Sequence, residues 1–214
     1  MARPVAQEKY WDRMAGEKSF TVPFEIDHFG QYVSRSADIL DVGCGYGRVL
    51  GQLNSAGFTR LTGVDMSSRM INTGRKHFPR LAFFPITAGH LALKDNAVDA
   101  VLLIAVMTCI ETDAAQLALM GEIKRVLKPG GIIYFSDFLL NTDRRNIDRY
   151  RRFDEQYGCY GVFELPDGAV LRHHHPDHIA RIISGFRTIM FEKRVFPTMN
   201  GHQSNGFYYI GENG

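Results

Sequence analysis

Short apolar runs alternate with longer mixed segments along most of the chain. Residues 39–42 read as a buried strand, and 47–55 as a helix closed by Gly57. Residues 61–65 form a second strand, and Ser67 caps a helix that runs to 76 and stops before Pro79. Residues 81–86 make a third strand. The run 98–104 is nearly all apolar, as expected of a fourth strand buried on both faces. Between 112 and 127 the apolar positions 117, 119, 120, 123, 126 and 127 fall mostly at helical spacing. Pro129-Gly130-Gly131 ends that helix, and 131–138 is a fifth strand. Strands alternating with helices predict an α/β fold with a parallel sheet covered on both sides and right-handed crossovers.

The rhythm changes after Phe138. Residues 141–157 are polar and Arg-rich, 161–172 resemble a hairpin turning at Pro166-Asp167-Gly168, and 176–184 form a short helix. Two more strands follow at 188–196 and 206–210. Helices are expected in 5–34, ahead of the first strand and folded over its carboxyl end.

Composition narrows the class. The chain has 214 residues, 45% of them apolar and 22% charged, which suits one domain and excludes a disordered chain. A net charge of +2 gives no broad electrostatic reason for a nucleic-acid or anionic-membrane partner. Cys44, Cys109 and Cys159 are too widely spaced for a metal pair or a disulfide framework, which suits a reducing compartment. The stretch 1–8 lacks the apolar core of a signal peptide. The longest apolar run, 100–110, falls well short of the roughly 20 residues of a bilayer span. A soluble, cytoplasmic protein with no membrane partner is expected; its oligomeric state is open.

The most informative stretch is Asp41-Val42-Gly43-Cys44-Gly45-Tyr46-Gly47-Arg48. It follows a strand and opens a helix, the setting in which glycines let backbone approach a ligand at a helix N-terminus. Asp65 ends the next strand, where an acid can accept both hydroxyls of a ribose. A tight turn with Asp65 capping the next helix is the bland alternative. Together the two features predict a nucleoside-containing ligand at the switch point of the sheet. A dinucleotide fits less well than S-adenosylmethionine. The third glycine of G-x-G-x-x-G is replaced by Arg48, and Asp41 would repel a pyrophosphate but attract an ammonium or sulfonium.

These residues resemble the class I S-adenosylmethionine-dependent methyltransferases. Residues 41–47 match the family's first motif, and Gly63-Val64-Asp65-Met66-Ser67 its ribose-holding acidic motif. Residues 94–100 match its fourth-strand region, and Leu127-Lys128-Pro129-Gly130-Gly131 the turn before the fifth strand. The likeness spans about 37–138. It implies a Rossmann-like doubly wound sheet of seven strands, the last antiparallel. It implies S-adenosyl-L-methionine as cofactor, with Gly43, Cys44, Gly45 and Gly47 against the methionine part, Asp41 near its amino group, and Asp65 and Met66 at the ribose. Thr87-Ala88-Gly89 falls where the family usually has an adenine-binding Asp, so the Thr87 hydroxyl or the backbone of Ala88 and Gly89 takes that place. Ile104 ends the fourth strand against the cofactor.

The resemblance divides the chain into an N-terminal helical lid (1–36), a cofactor core (37–138), a substrate-side insertion (139–185) and a final strand pair (186–214). The catalytic residue is less legible, because methyl transfer mainly needs alignment in a dry pocket. His173-His174-His175 with His178 could bind a metal or supply a base, but the cluster reads better as a polar strand end, with His173 and His175 on one face. His173, His175, Tyr157 and His202 are the candidates, and no metal site is expected. The Arg-rich insertion is either a solvated helix or a lid over an anionic or aromatic substrate. Tyr10, Trp11 and Phe20 either close over the cofactor or simply pack. The expected function is methyl transfer to a small molecule. The alternatives are a cofactor-binding protein without catalysis, a nicotinamide-dependent oxidoreductase, and an RNA or protein methyltransferase.

Overall fold

In a computed structural model describing residues 4–87 and 89–214, the alternation becomes a sheet with helices on both faces. The core strands are β1 (Asp38–Val42), β2 (Arg60–Asp65), β3 (Ala82–Pro85), β4 (Val98–Ile104) and β5 (Leu127–Phe138). They are joined by α3 (Arg48–Ser55), α4 (Ser68–His77) and α5 (Asp113–Val126), and are preceded by α1 (Pro4–Met14) and α2 (Ile26–Phe29). The insertion holds α6 (Arg144–Tyr157), a hairpin of β6 (Val162–Glu164) and β7 (Val170–Arg172), and α7 (Pro176–Ile183). The chain ends in β8 (Phe186–Pro197) and β9 (Gln203–Asn213).

The seven-stranded sheet has the order β3-β2-β1-β4-β5-β9-β8. Strands β1 to β5 pair in parallel, and β9 runs antiparallel to both β5 and β8. The expected seven strands with an antiparallel last strand are therefore present. The pleat sorts the core. Val101 and Leu103 join Ile123 and Ile179 on one face, while Ala100 and Leu102 join Leu50 and Leu53 on the other. This two-sided burial explains why β4 is almost uniformly apolar.

Three boundaries differ from the sequence reading. Val98 pairs with Leu127 and Ala100 with Ile132, so Pro129-Gly130-Gly131 bulges out of β5 instead of preceding it. The β8–β9 hairpin extends to the Pro197–Gln203 pair, well beyond the expected strands. Strand β7 stops at Arg172, so His173 and His175 do not alternate as strand residues. His174 instead bridges Leu139, and its N–H donates to the Phe138 carbonyl at 3.0 Å.

The N-terminal segment is tied to the small hairpin. Lys18 Nζ meets Asp167 Oδ2 at 2.7 Å, Tyr10 donates to the same oxygen at 3.1 Å, and Arg13 donates to the Asp167 carbonyl at 2.8 Å. Gln7 donates to the Val170 carbonyl at 2.5 Å. Among the described residues no helix is long and apolar enough to cross a membrane.

Candidate functional site

The carboxyl ends of β1, β2 and β4 open into one cavity of about 880 Å³, roofed by the N-terminal segment and the β6–β7 hairpin. That volume lies near the upper end of the range for a single ligand, so two can share it. β1 lies between β2 and β4, where the strand order reverses and α/β sheets hold their ligands.

The glycine loop turns sharply after β1. Gly43, Gly45 and Gly47 all have positive φ (70°, 54° and 84°), a region that residues with a Cβ avoid. Only Gly43 of the three lines the cavity. A Cβ on Gly43 would run into the side chain of Val106, and one on Gly45 into the ring of Phe20. A Cβ on Gly47 would lie 2.6 Å from the Phe83 ring. Gly45 and Gly47 make room for aromatic rings. Phe20 stacks on Tyr46 at 5.1 Å between centroids, which packs the N-terminal segment onto the loop.

Three charged groups converge beside the loop. Asp41 is 3% exposed, and burial pushes its carboxyl up to about 8, opposed by the nearby Arg48 guanidinium. No donor among the described residues reaches that carboxylate. Arg48, at the first turn of α3, donates from Nη2 to the Val22 carbonyl at 2.5 Å, while its buried Nε has no described partner. Asp65 ends β2; one oxygen accepts the Gly45 N–H at 2.9 Å and the other the Ser67 N–H at 2.8 Å. Each of these oxygens keeps a lone pair for a further donor. An unpartnered acid beside an orphaned guanidinium nitrogen fits a zwitterionic amino-acid end. An anchored acid one strand away fits a ribose. The residues present therefore fit S-adenosylmethionine.

Cys44, Met66, Gly89 and Ile104 line the cavity, as does Ile86. Thr87 is exposed and is not on the wall, and Ala88 lies outside the described residues. The Cys44 thiol is held well above its usual range by burial, then by Asp41 and Asp65, so it packs as a small apolar group. Tyr10, Trp11 and Phe20 also line the cavity, as an aromatic roof.

The four catalytic candidates separate. His175 is exposed, and its Nδ1 caps α7 by accepting the Asp177 N–H at 3.2 Å. Tyr157 donates to Glu164 at 2.6 Å and is not on the wall. His202 lines the rim from the β8–β9 turn. His173 is buried on the wall, stacked on Phe138 at 5.5 Å with its Nδ1 held by Tyr150 at 2.6 Å and Asn141 at 3.1 Å.

A chain of hydrogen bonds leads to His173. The Asn205 N–H donates to Asn141 Oδ1 at 2.8 Å, so Asn141 turns its Nδ2 toward His173. The Asn141 N–H donates to the Tyr150 oxygen at 3.3 Å, and the Tyr150 hydroxyl lies between His173 Nδ1 at 2.6 Å and Asn146 Oδ1 at 3.5 Å. Burial, then Arg149 and Arg145, hold the imidazole well below its usual range and keep it neutral. As placed, His173 presents a neutral imidazole to the cavity.

The sequence reading passed over Arg48 as a site residue and missed Glu111. Arg48 was read only as the missing glycine, although a cation at the first turn of the motif helix was itself the signal. Glu111 lines the cavity just past the apolar run of β4, its carboxyl pushed up by burial and by Glu164.

A family model described as a methyltransferase domain matches residues 40–135. An O-methyltransferase from Aspergillus nomiae is 28% identical over 173 residues, covering 76% of this chain and 74% of the relative. An arsenite methyltransferase from Aquipseudomonas alcaligenes is 34% identical over 136 residues, but the match spans only 38% of that longer protein. The solved structure of a SAM-dependent methyltransferase from Methanosarcina mazei superposes with a TM-score of 0.83 at 23% identity, over 90% of this chain and 98% of that one. With its strand order, glycine loop and acidic strand ends, the chain has the Rossmann-like methyltransferase fold, and residues 40–135 match a methyltransferase domain.

Proposed function

We propose that the protein transfers the methyl group of S-adenosylmethionine to a small-molecule acceptor held in the same cavity. The observation that carries this reading is the pairing of an unpartnered buried acid, Asp41, with the orphaned Nε of Arg48 beside the Gly43 turn. When bound, the cofactor supplies an electrophilic methyl on a positively charged sulfur.

In this reading Asp41 holds the cofactor ammonium, Arg48 its carboxylate and Asp65 its ribose hydroxyls. Cys44, Met66, Ile86, Gly89 and Ile104 supply the walls around the rest. The N-terminal segment (1–36) acts as a lid, residues 139–185 form the acceptor side, and 186–214 close the sheet. The roof of Tyr10, Trp11 and Phe20 excludes water, which strengthens the electrostatics inside. Glu111 is the acid available to take a proton from a protonated acceptor. Three free cysteines suit a reducing, cytoplasmic setting.

Incubation with methyl-labelled S-adenosylmethionine and a panel of small acceptors tests the proposal. Label should appear in a product, with S-adenosylhomocysteine formed in equal amount. Cofactor binding without transfer to any acceptor would favour the non-catalytic reading instead.

A further inference from the structure

The cavity wall formed by α6 and the hairpin carries a cation that the cofactor does not need. Arg149 lines the cavity with its guanidinium 3.5 Å from the Phe163 ring centroid. Its Nε is buried and has no partner among the described residues, and no carboxylate there lies within ion-pair distance of it. The nearest acid acting on it is Asp143, the N-cap of its own helix, which is already bonded to Asn146 and lies 4.0 Å from Arg145. Of the acids lining the same cavity none forms an ion pair with Arg149, and Glu164 accepts from Gln156 and Tyr157. This half-buried guanidinium, resting on the Phe163 face beside Tyr150 with no carboxylate partner, is placed to take an anionic group from a ligand.

The neighbouring groups say what kind of ligand. Phe138, His173 and Phe163 give an aromatic corner, His173 lying 26° from the Phe138 plane and edge-on to Phe163 at 5.0 Å. A guanidinium fork matches the two oxygens of a carboxylate. On the reading given above, which this inference extends, we propose that the acceptor is a planar carboxylic acid whose carboxylate is bound by Arg149. The amino-acid end of the cofactor is matched separately, by Asp41 and Arg48, so the two anions do not compete for one cation.

The test is calorimetric titration of the full chain saturated with S-adenosylhomocysteine. The probes are benzoate, cinnamate and 2-naphthoate, each against its neutral amide. At least one acid should bind 10-fold or more tightly than its amide. Arg149→Met should remove that preference and Arg149→Lys should restore part of it, while S-adenosylhomocysteine affinity stays within about twofold in both. Equal binding of every acid and amide, or a preference unchanged in Arg149→Met, would overturn the inference. Should Arg149→Met not fold, the acid–amide comparison in the unaltered protein and the lysine variant decides alone. Loss of S-adenosylhomocysteine binding by the unaltered protein would instead strike the cofactor reading.

Discussion

Asp65 accepts the backbone N–H of Gly45 at 2.9 Å, so the acid expected to hold a ribose also fastens the glycine loop to the end of β2. One carboxylate thus sets the spacing between the loop and the sugar site. Asp65→Asn keeps the shape but removes the charge and one acceptor. Hydrogen bonds to charged groups contribute about 1.5–3 kcal/mol. The dissociation constant for S-adenosylhomocysteine should therefore rise roughly 10- to 100-fold, since about 1.4 kcal/mol is tenfold. Titration calorimetry reads this directly, and an unchanged constant would remove Asp65 from the ribose site.

The Gly43 turn leaves no room for a side chain. Its φ of 70° and the Val106 side chain both oppose a Cβ. Gly43→Ala should lower stability by roughly 1–2 kcal/mol from the left-handed backbone alone, and should abolish cofactor binding. Adding Val106→Ala should relieve the clash and recover part of the stability in a denaturant melt. No recovery would mean that the backbone, and not Val106, sets the requirement.

Asp41 makes the free protein sensitive to pH. Its carboxyl is raised to about 8 in the fold, above the roughly 3.9 of an unfolded chain. A raised acid binds a proton that the unfolded chain releases, so stability falls as pH rises between those two values. Asp137, fully buried and raised to about 7 by burial, adds to the same slope. Asp41→Asn should flatten the decline of the thermal midpoint between pH 5 and 8 without abolishing it. The same variant should bind S-adenosylmethionine more weakly, because the ammonium loses its partner. Proton release on cofactor binding near pH 7, measured in buffers of different ionisation heat, should disappear with it.

The lid latch is a separate matter. Asp167 joins Lys18, Tyr10 and Arg13 across the roof. Partly exposed ion pairs contribute at most about 1 kcal/mol. Asp167→Ala should leave the melting temperature almost unchanged and speed ligand release several-fold. Stopped-flow fluorescence of Trp11, the single tryptophan, follows that release. An unchanged release rate would mean that the aromatic roof holds without the latch.

The core elements were legible in the sequence because they rest on patterns that span one element, while the seven-stranded sheet with its antiparallel last strand was implied by the family resemblance. Buried strands read as apolar runs, and Ser67 and Thr112 cap their helices by accepting the Met70 and Ala115 N–H groups. The acids Asp41 and Asp65 were legible because they sit at strand ends in a fixed order. What long-range packing decides was not. Gly45 and Gly47 serve Phe20 and Phe83, rings brought in from distant segments. His173 and His175 looked alike in the sequence, yet one is locked against Tyr150 and the other caps a helix. Thr87 stood at the expected adenine position, but the chain turns it to solvent and leaves Ile86 on the wall.

Titration of the protein with S-adenosylmethionine and with NAD, under the same conditions, tests the central claim most directly. Saturable binding of S-adenosylmethionine at one site per chain, weakened by Asp41→Asn and Asp65→Asn, with no comparable binding of NAD, is the predicted result. No binding of S-adenosylmethionine, or tighter binding of NAD, would contradict it.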